Sequence, residues 1–178
     1  EGWKIGAVVT DNAGQCGRAR RILSLRWPEI AFVICFAHDL NNLVKAVLKS
    51  DYAHVTKQAS DAVNALNASS AKWLVEANSM HGCFASLLRV RSALEMLEVK
   101  FRDAADYPAA LRVFADRTFW DSLADAEDVV RPLAYASLKL QRDENTMTDV
   151  VVCYLDIFAG FAKHPYGSRN LIREVEKR

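Results

Sequence analysis

Two short apolar runs near the start of the chain, separated by a segment of helix length, constrain the fold most strongly. The first run, residues 5–10, is followed at once by the carboxylate of Asp11, and the second, residues 30–35, leads to His38. This alternation predicts a strand, a helix, a second strand and a second helix, with the first strand buried on both faces. Because open α/β sheets place their sites at the carboxyl ends of strands, we expect any chemistry to lie at Asp11 and His38.

The rest of the chain has a helical pattern. Apolar residues recur at intervals of three and four in four stretches, residues 52–66, 87–101, 119–133 and 147–161. This spacing predicts helices that pack side by side. Thr118 with Asp121, and Thr146 with Asp149, match the capping box and predict two helix starts, whereas Pro132 predicts a kink or break.

Composition limits the classes of function. Apolar residues make up 51% of the 178 residues, which is enough for a packed core, and the formal net charge is only +1. A self-sufficient DNA-binding domain is usually plainly basic, so this balance disfavours DNA binding by this segment alone. No run approaches the ~20 apolar residues of a membrane span, so we expect no membrane contact. The four cysteines are scattered, which favours buried thiols in a reducing compartment over disulfides.

Two motifs also carry a family resemblance. VVTDNAGQ, residues 8–15, followed by CFAHDLNNL, residues 35–43, resembles the central segment of hAT-type transposases. In that family a ribonuclease-H-like core has a strand that ends in Asp-Asn-Ala and a later Cys-x-x-His. Residues 86–94 and 119–150 resemble, more loosely, the helical insertion of the same family. The fold implied is α/β: a ribonuclease-H-like core segment at residues 1–50, followed by a predominantly helical insertion bundle at residues 51–178.

The resemblance implies a function for the intact parent protein. That function is metal-dependent DNA cleavage and strand transfer in the nucleus, with Mg²⁺ or Mn²⁺ as cofactor and DNA as partner. Asp11 is then the catalytic, metal-binding carboxylate, and Cys35 and His38 organise the site and its DNA contacts. Asn12, Arg18 and Arg21 are further candidates for organising the site or touching DNA phosphates.

The family's other two acidic residues come from a strand before this segment and a helix after the insertion. Glu174 and Glu176, in a terminal amphipathic stretch, are not assigned the third role. The sequence also departs from the family pattern: Gln15 stands where many relatives have Asn, and Glu76-Ala77 stands where Arg-Trp is usual. We therefore expect a catalytically incomplete segment of a longer protein.

Each candidate residue also has a simpler interpretation. Asp11, with Asn12, is suited to capping the following helix, and the arginines are suited to its solvent face. Cys35 is suited to the core, with His38 hydrogen-bonded near a helix start. Zinc binding by Cys35 and His38, together with the pair His81 and Cys83, is a further alternative.

The alternative function is therefore a domesticated or recruited, non-catalytic interaction module derived from a transposase. Phe, Trp and Leu are plentiful in the helical part, and the net charge is close to neutral. For this chain we expect contacts with a protein partner, or self-association, to outweigh contacts with DNA.

Overall fold

The computed structural model describes residues 4–68, 80–142, 144–163 and 168–176. The first part alternates strands and helices as the apolar runs predict, in the order β1 (Ala7–Thr10), α1 (Gly14–Arg26), β2 (Ala31–Ile34) and α2 (Phe36–Lys49). The two strands pair in parallel, with Ala7 opposite Ala31 and Thr10 opposite Ile34. Parallel pairing needs a crossover connection, which α1 provides.

The second part is helical wherever the structure describes it. Its elements are α3 (Ala53–Ala68), α4 (Met80–Arg89), α5 (Arg91–Phe101), a 3₁₀ helix (Ala109–Ala115), α6 (Arg117–Leu140), α7 (Met147–Lys163) and α8 (Ser168–Glu176). The described residues therefore confirm a mixed α/β fold in which a small parallel sheet precedes a larger set of helices.

The core is built around α6, against which α2, α3, α4 and α7 all pack. From α2, the side chains of Leu40, Leu43 and Val47 are fully buried in this core, so the second helix of the α/β part shares it with the bundle.

An aromatic cluster marks the start of α6: Trp120 stacks on Phe114, and its indole Nε1 donates to the carbonyl of Phe114 at 3.0 Å. That hydrogen bond satisfies the one polar atom of a side chain that is only 1% exposed.

The prediction that the first strand is buried on both faces is wrong. Ala7 and Val9 are exposed while Val8 and Thr10 are half-buried, and Ile5 before the strand is also exposed. Side chains alternate between the faces of a strand, so this pattern means that one face is covered and the other is not. Among the described residues the sheet has two strands and α1 packs beside β2, which leaves the second face uncovered.

Helix starts follow local hydrogen bonding. Thr146 and Asp149 form the predicted capping box: the Thr146 N–H donates to the Asp149 carboxylate at 2.8 Å, and the Asp149 N–H donates to Oγ1 of Thr146 at 3.4 Å. A helix also starts at the second predicted place, since α6 begins at Arg117, but the prediction that Thr118 caps it is wrong. Asp116 is its cap, with a carboxylate that accepts from the Thr118 N–H at 2.8 Å and the Thr118 hydroxyl at 2.7 Å.

Pro132 lies inside α6, which continues without a break from Arg117 to Leu140. Of the predicted kink or break, the break is therefore absent. Pro132 is exposed, whereas Val130 and Leu133 on either side of it are fully buried. Packing on both sides of the proline holds the helix together despite the backbone hydrogen bond that proline cannot make.

Candidate functional site

The carboxyl ends of the two strands lie side by side. The ladder extends beyond β2 because the Cys35 N–H donates to the Thr10 carbonyl at 2.7 Å. This bond brings Asp11 next to Cys35 at one edge of the sheet, and α2 begins immediately afterwards. Asp11 and His38 are exposed and Cys35 is half-buried. The predicted residues of the two motifs are thus brought to the same edge.

The carboxylate of Asp11 closes a tight turn between β1 and α1. Its Oδ1 accepts from the Ala13 N–H at 3.0 Å, which is the geometry of an Asx turn. Ala13 is the cap residue of α1 and its own side chain makes no capping bond, so Asp11 shapes the turn before the helix rather than capping it. The Ala13 N–H, followed by the Cys16 thiol, lowers the pKa of Asp11, with smaller contributions from His38 and Arg20. The same thiol–carboxylate bond raises the pKa of Cys16.

Arg20 fixes the backbone at the end of the strand. Its Nη1 donates to the Thr10 hydroxyl and to the Asp11 carbonyl, the latter at 2.5 Å, and its Nη2 donates to Oδ1 of Asn12 at 3.1 Å. Arg20 is only 9% exposed, unlike the other arginines of α1. One guanidinium therefore holds three successive residues, which orders the segment that presents the Asp11 carboxylate.

Arg18 and Arg21, the arginines predicted to organise the site, lie elsewhere. Both are exposed, on the side of α1 that also carries Ile22 and Leu25. The prediction that the arginines of α1 lie on its solvent face is wrong for Arg20, although a signal was available: Arg20 follows Cys16 by four positions and precedes Leu23 by three. At 3.6 residues per turn, those three residues share the half-buried face of the helix.

His38 and Cys35 make different contacts. His38 lines a cavity of about 480 Å³ together with Ser137 and Gln141, and Asp11 is not among the residues that line it. Cys35 is the cap residue of α2 and makes no side-chain capping bond. The side chains of His81 and Cys83, the other half of the alternative zinc site, lie outside the described residues.

A metal ion would find one suitable ligand here. Asp11 is exposed and its lowered pKa keeps it ionised, so the carboxylate can contribute an oxygen to Mg²⁺ or Mn²⁺. In the described part of the chain, no group of three or more His, Cys, Asp or Glu side chains converges as a complete metal site requires. Among the described residues, Asp11 can therefore supply one ligand of a metal centre, and further ligands are needed to complete it.

No protein-family model, no curated protein and no solved structure matches this chain. Across the ranges that the structure describes, no helix is both long enough and apolar enough to cross a membrane.

Proposed function

We propose that this chain is a core segment of a hAT-like DNA transposase, with a ribonuclease-H-like α/β part followed by a helical insertion. The observation that supports the proposal is the parallel pairing that lays Asp11 beside Cys35 at one edge of the sheet. In the intact parent, a nuclear protein, Asp11 would be one of the carboxylates that hold Mg²⁺ or Mn²⁺ against a DNA phosphate. Cys35, His38 and Asn12 would order the surroundings of that carboxylate.

The geometry around Asp11 suits this role. Arg20 binds the backbone carbonyl of Asp11, and the Ala13 N–H binds only one carboxylate oxygen, Oδ1. The Cys16 thiol also bonds to this carboxylate, so a divalent cation would leave the Arg20 bond to the backbone intact but would share the carboxylate with the Ala13 N–H and the Cys16 thiol. Two-metal phosphoryl transfer, however, needs several carboxylates around the ions, so the chain by itself should neither cleave nor join DNA.

Paramagnetic Mn²⁺ offers a direct test, because it broadens the NMR signals of nuclei near its binding site. We expect Mn²⁺ to broaden the amide signals around residues 10–13 and 35–38 selectively, and Asp11→Asn to abolish that effect. Asp106→Asn, which removes an exposed carboxylate in a turn far from the motifs in sequence, is the matched control. A nicking assay on supercoiled DNA with Mn²⁺ should show no cleavage by either protein.

One result would count against the proposed role of Asp11, and another against the incompleteness of the chain. Unselective broadening that Asp11→Asn leaves unchanged would remove Asp11 from any metal site. Robust nicking that Asp11→Ala abolishes would show that the chain is a complete enzyme, and the incompleteness would then be disproved.

A second candidate function is a recruited, non-catalytic interaction module. The observation that favours it is the apolar surface left uncovered on α1 and α7, where Leu25 is 86% exposed and Leu155 is 61% exposed. Large patches of exposed apolar surface mark interaction sites. This candidate predicts self-association or a protein partner, and it does not depend on metal binding by Asp11.

A further inference from the structure

The face of α7 that points away from the core is apolar. Val150, Cys153 and Ile157 are buried against the rest of the protein. At 3.6 residues per turn, the face of α7 next to this buried face carries four further apolar residues. All four are exposed: Met147, Val151, Leu155 and Phe158. Asp149, Asp156 and Lys163 are the charged residues of α7, and they occupy a narrow strip. A helix that is apolar around most of its circumference is typical of one covered on both sides.

This exposed face forms one wall of a groove, which we call the α7 groove. It encloses about 570 Å³, and the residues that line it come from the end of β2, from α2, α7 and α8, and include Ile34, Phe36, Val151, Leu155 and Phe158. Two acidic residues, Asp39 and Glu176, also line it, and no basic residue is among the described side chains of its wall. Asp39 is held in place by the Tyr154 hydroxyl, which donates to its Oδ2 at 2.9 Å. The groove is therefore apolar with an acidic rim.

The outer face of α1 has the opposite charge and the same apolar character. Ile22 and Leu25, three positions apart, are 54% and 86% exposed. Arg18, Arg21 and Arg26 surround them on the same side of the helix, and α1 contains no acidic residue. Arg20 lies on the other side of α1, bound to the end of β1. This surface, which we call the α1 patch, is an apolar pair within a basic rim.

We infer that the α7 groove binds the α1 patch of a second copy of this chain. The contact would bury Ile22 and Leu25 against Val151, Leu155 and Phe158, and it would bring the arginines near Asp39 and Glu176. Amphipathic helices bind apolar grooves in this way, and complementary rims select the partner. Pairing two α7 grooves, or two α1 patches, would instead place like charges together. This inference deepens the second proposed function and is independent of the first.

A contact between two different surfaces can be tested by complementation. Ile22→Glu with Leu25→Glu should disable the α1 patch, and Val151→Asp with Leu155→Asp should disable the α7 groove. All four side chains are at least half exposed, so the substitutions leave the core intact. Met96→Asp with Val99→Asp, at 68% and 62% exposure on α5, is the matched control pair.

Sedimentation equilibrium over a range of concentrations then decides the question. We expect the unaltered chain and the control to self-associate, each double variant alone to be monomeric, and an equal mixture of the two variants to form a one-to-one dimer. The dimer should weaken as salt is raised, because salt screens the attraction between the basic rim of the α1 patch and the acidic rim of the α7 groove. Circular dichroism of each variant confirms that it is folded.

Either variant associating by itself as strongly as the unaltered chain would overturn the inference, because the contact would then be between identical surfaces. The second proposed function would survive that result. A mixture that stays monomeric would also overturn the inference. An unaltered chain that is monomeric at every concentration would overturn the inference together with self-association itself.

Discussion

Arg20 donates a hydrogen bond to the backbone carbonyl of Asp11 at 2.5 Å, while the carboxylate of Asp11 accepts from the Ala13 N–H at 3.0 Å. Arg20 therefore orders the end of β1 by binding the backbone carbonyl of Asp11. The acceptor in that bond is not the Asp11 carboxylate. Asp11 keeps an ionised, exposed side chain on a segment that is held in place. This division between a positioning residue and a presented carboxylate is the central feature of the candidate site.

Arg20→Met should loosen the pairing of the two strands. Its hydrogen bonds are charge-assisted, and losing them should cost about 1.5–3 kcal/mol locally, which raises the equilibrium constant for local opening roughly ten- to hundredfold. Hydrogen exchange at the Cys35 amide, which is bound to the Thr10 carbonyl, reports that opening directly. Arg21→Met, at an exposed position of the same helix, should leave the exchange unchanged. Equal protection in both variants would mean that Arg20 does not hold the strand end.

Two helix-start carboxylates should make stability fall in acid. The Thr118 hydroxyl and N–H lower the pKa of Asp116, and the Thr146 hydroxyl and N–H lower the pKa of Asp149. Since the folded-state pKa lies below the ordinary value of 3.8, this stabilisation is complete above that value and is lost as pH falls through the folded pKa.

Thermal unfolding measured from about pH 6 to about pH 2 tests this. Asp116→Asn and Asp149→Asn keep an acceptor oxygen but cannot be protonated, so their melting temperatures should fall less steeply in acid. Asp106→Asn, in an exposed turn, provides the comparison. Acid profiles of the two Asn variants that match the unaltered chain would show that other groups govern its acid sensitivity.

Pro132→Ala should stabilise the protein. Pro132 lies within the continuous helix α6 at an exposed position, so alanine restores the missing backbone hydrogen bond without disturbing the core. We expect the free energy of unfolding to rise by about 1–3 kcal/mol. Urea denaturation followed by circular dichroism measures the change. Tyr135→Ala, at 73% exposure on the same helix, should change stability by less than about 0.5 kcal/mol. A destabilised Pro132→Ala variant would mean that the proline shapes a helix bend on which the packing depends.

Duplex DNA should bind this chain weakly and with a strong dependence on salt. The net charge is +1, and the exposed arginines of α1 form a small basic surface. Arg18→Ala with Arg21→Ala should weaken low-salt binding and reduce the slope of log Kd against log salt by up to about two. Arg89→Ala with Arg102→Ala removes the same charge from exposed positions outside α1. This control should change the low-salt affinity and the salt slope less. Gel shifts at several salt concentrations measure the affinity and its dependence on salt. Nanomolar binding at physiological salt would contradict this expectation.

Local sequence predicted the strand–helix–strand–helix start and the helical character of the remainder, although it did not predict that residues 87–101 are divided between α4 and α5. The two apolar runs predicted both strands of the sheet, and the apolar residues spaced at three and four predicted the faces of α3 and α6 that are buried. The capping box of Thr146 and Asp149 formed as predicted, because both partners lie within one helical turn. The placement of Asp11 at the end of β1 also follows from local sequence, since an apolar run stops where the carboxylate begins.

Tertiary structure decided which of several equivalent residues matter. Arg18, Arg20 and Arg21 are chemically alike, and Arg20 is the one buried because its face of α1 meets the acceptors of Thr10, Asp11 and Asn12. Tertiary packing also determined that β1 is covered on one face only, and that α6 continues through Pro132 because buried neighbours hold it. Periodicity along the chain predicts on which face of its helix or strand each residue lies. Only long-range packing determines what that face contacts, because the contacting groups are distant in sequence.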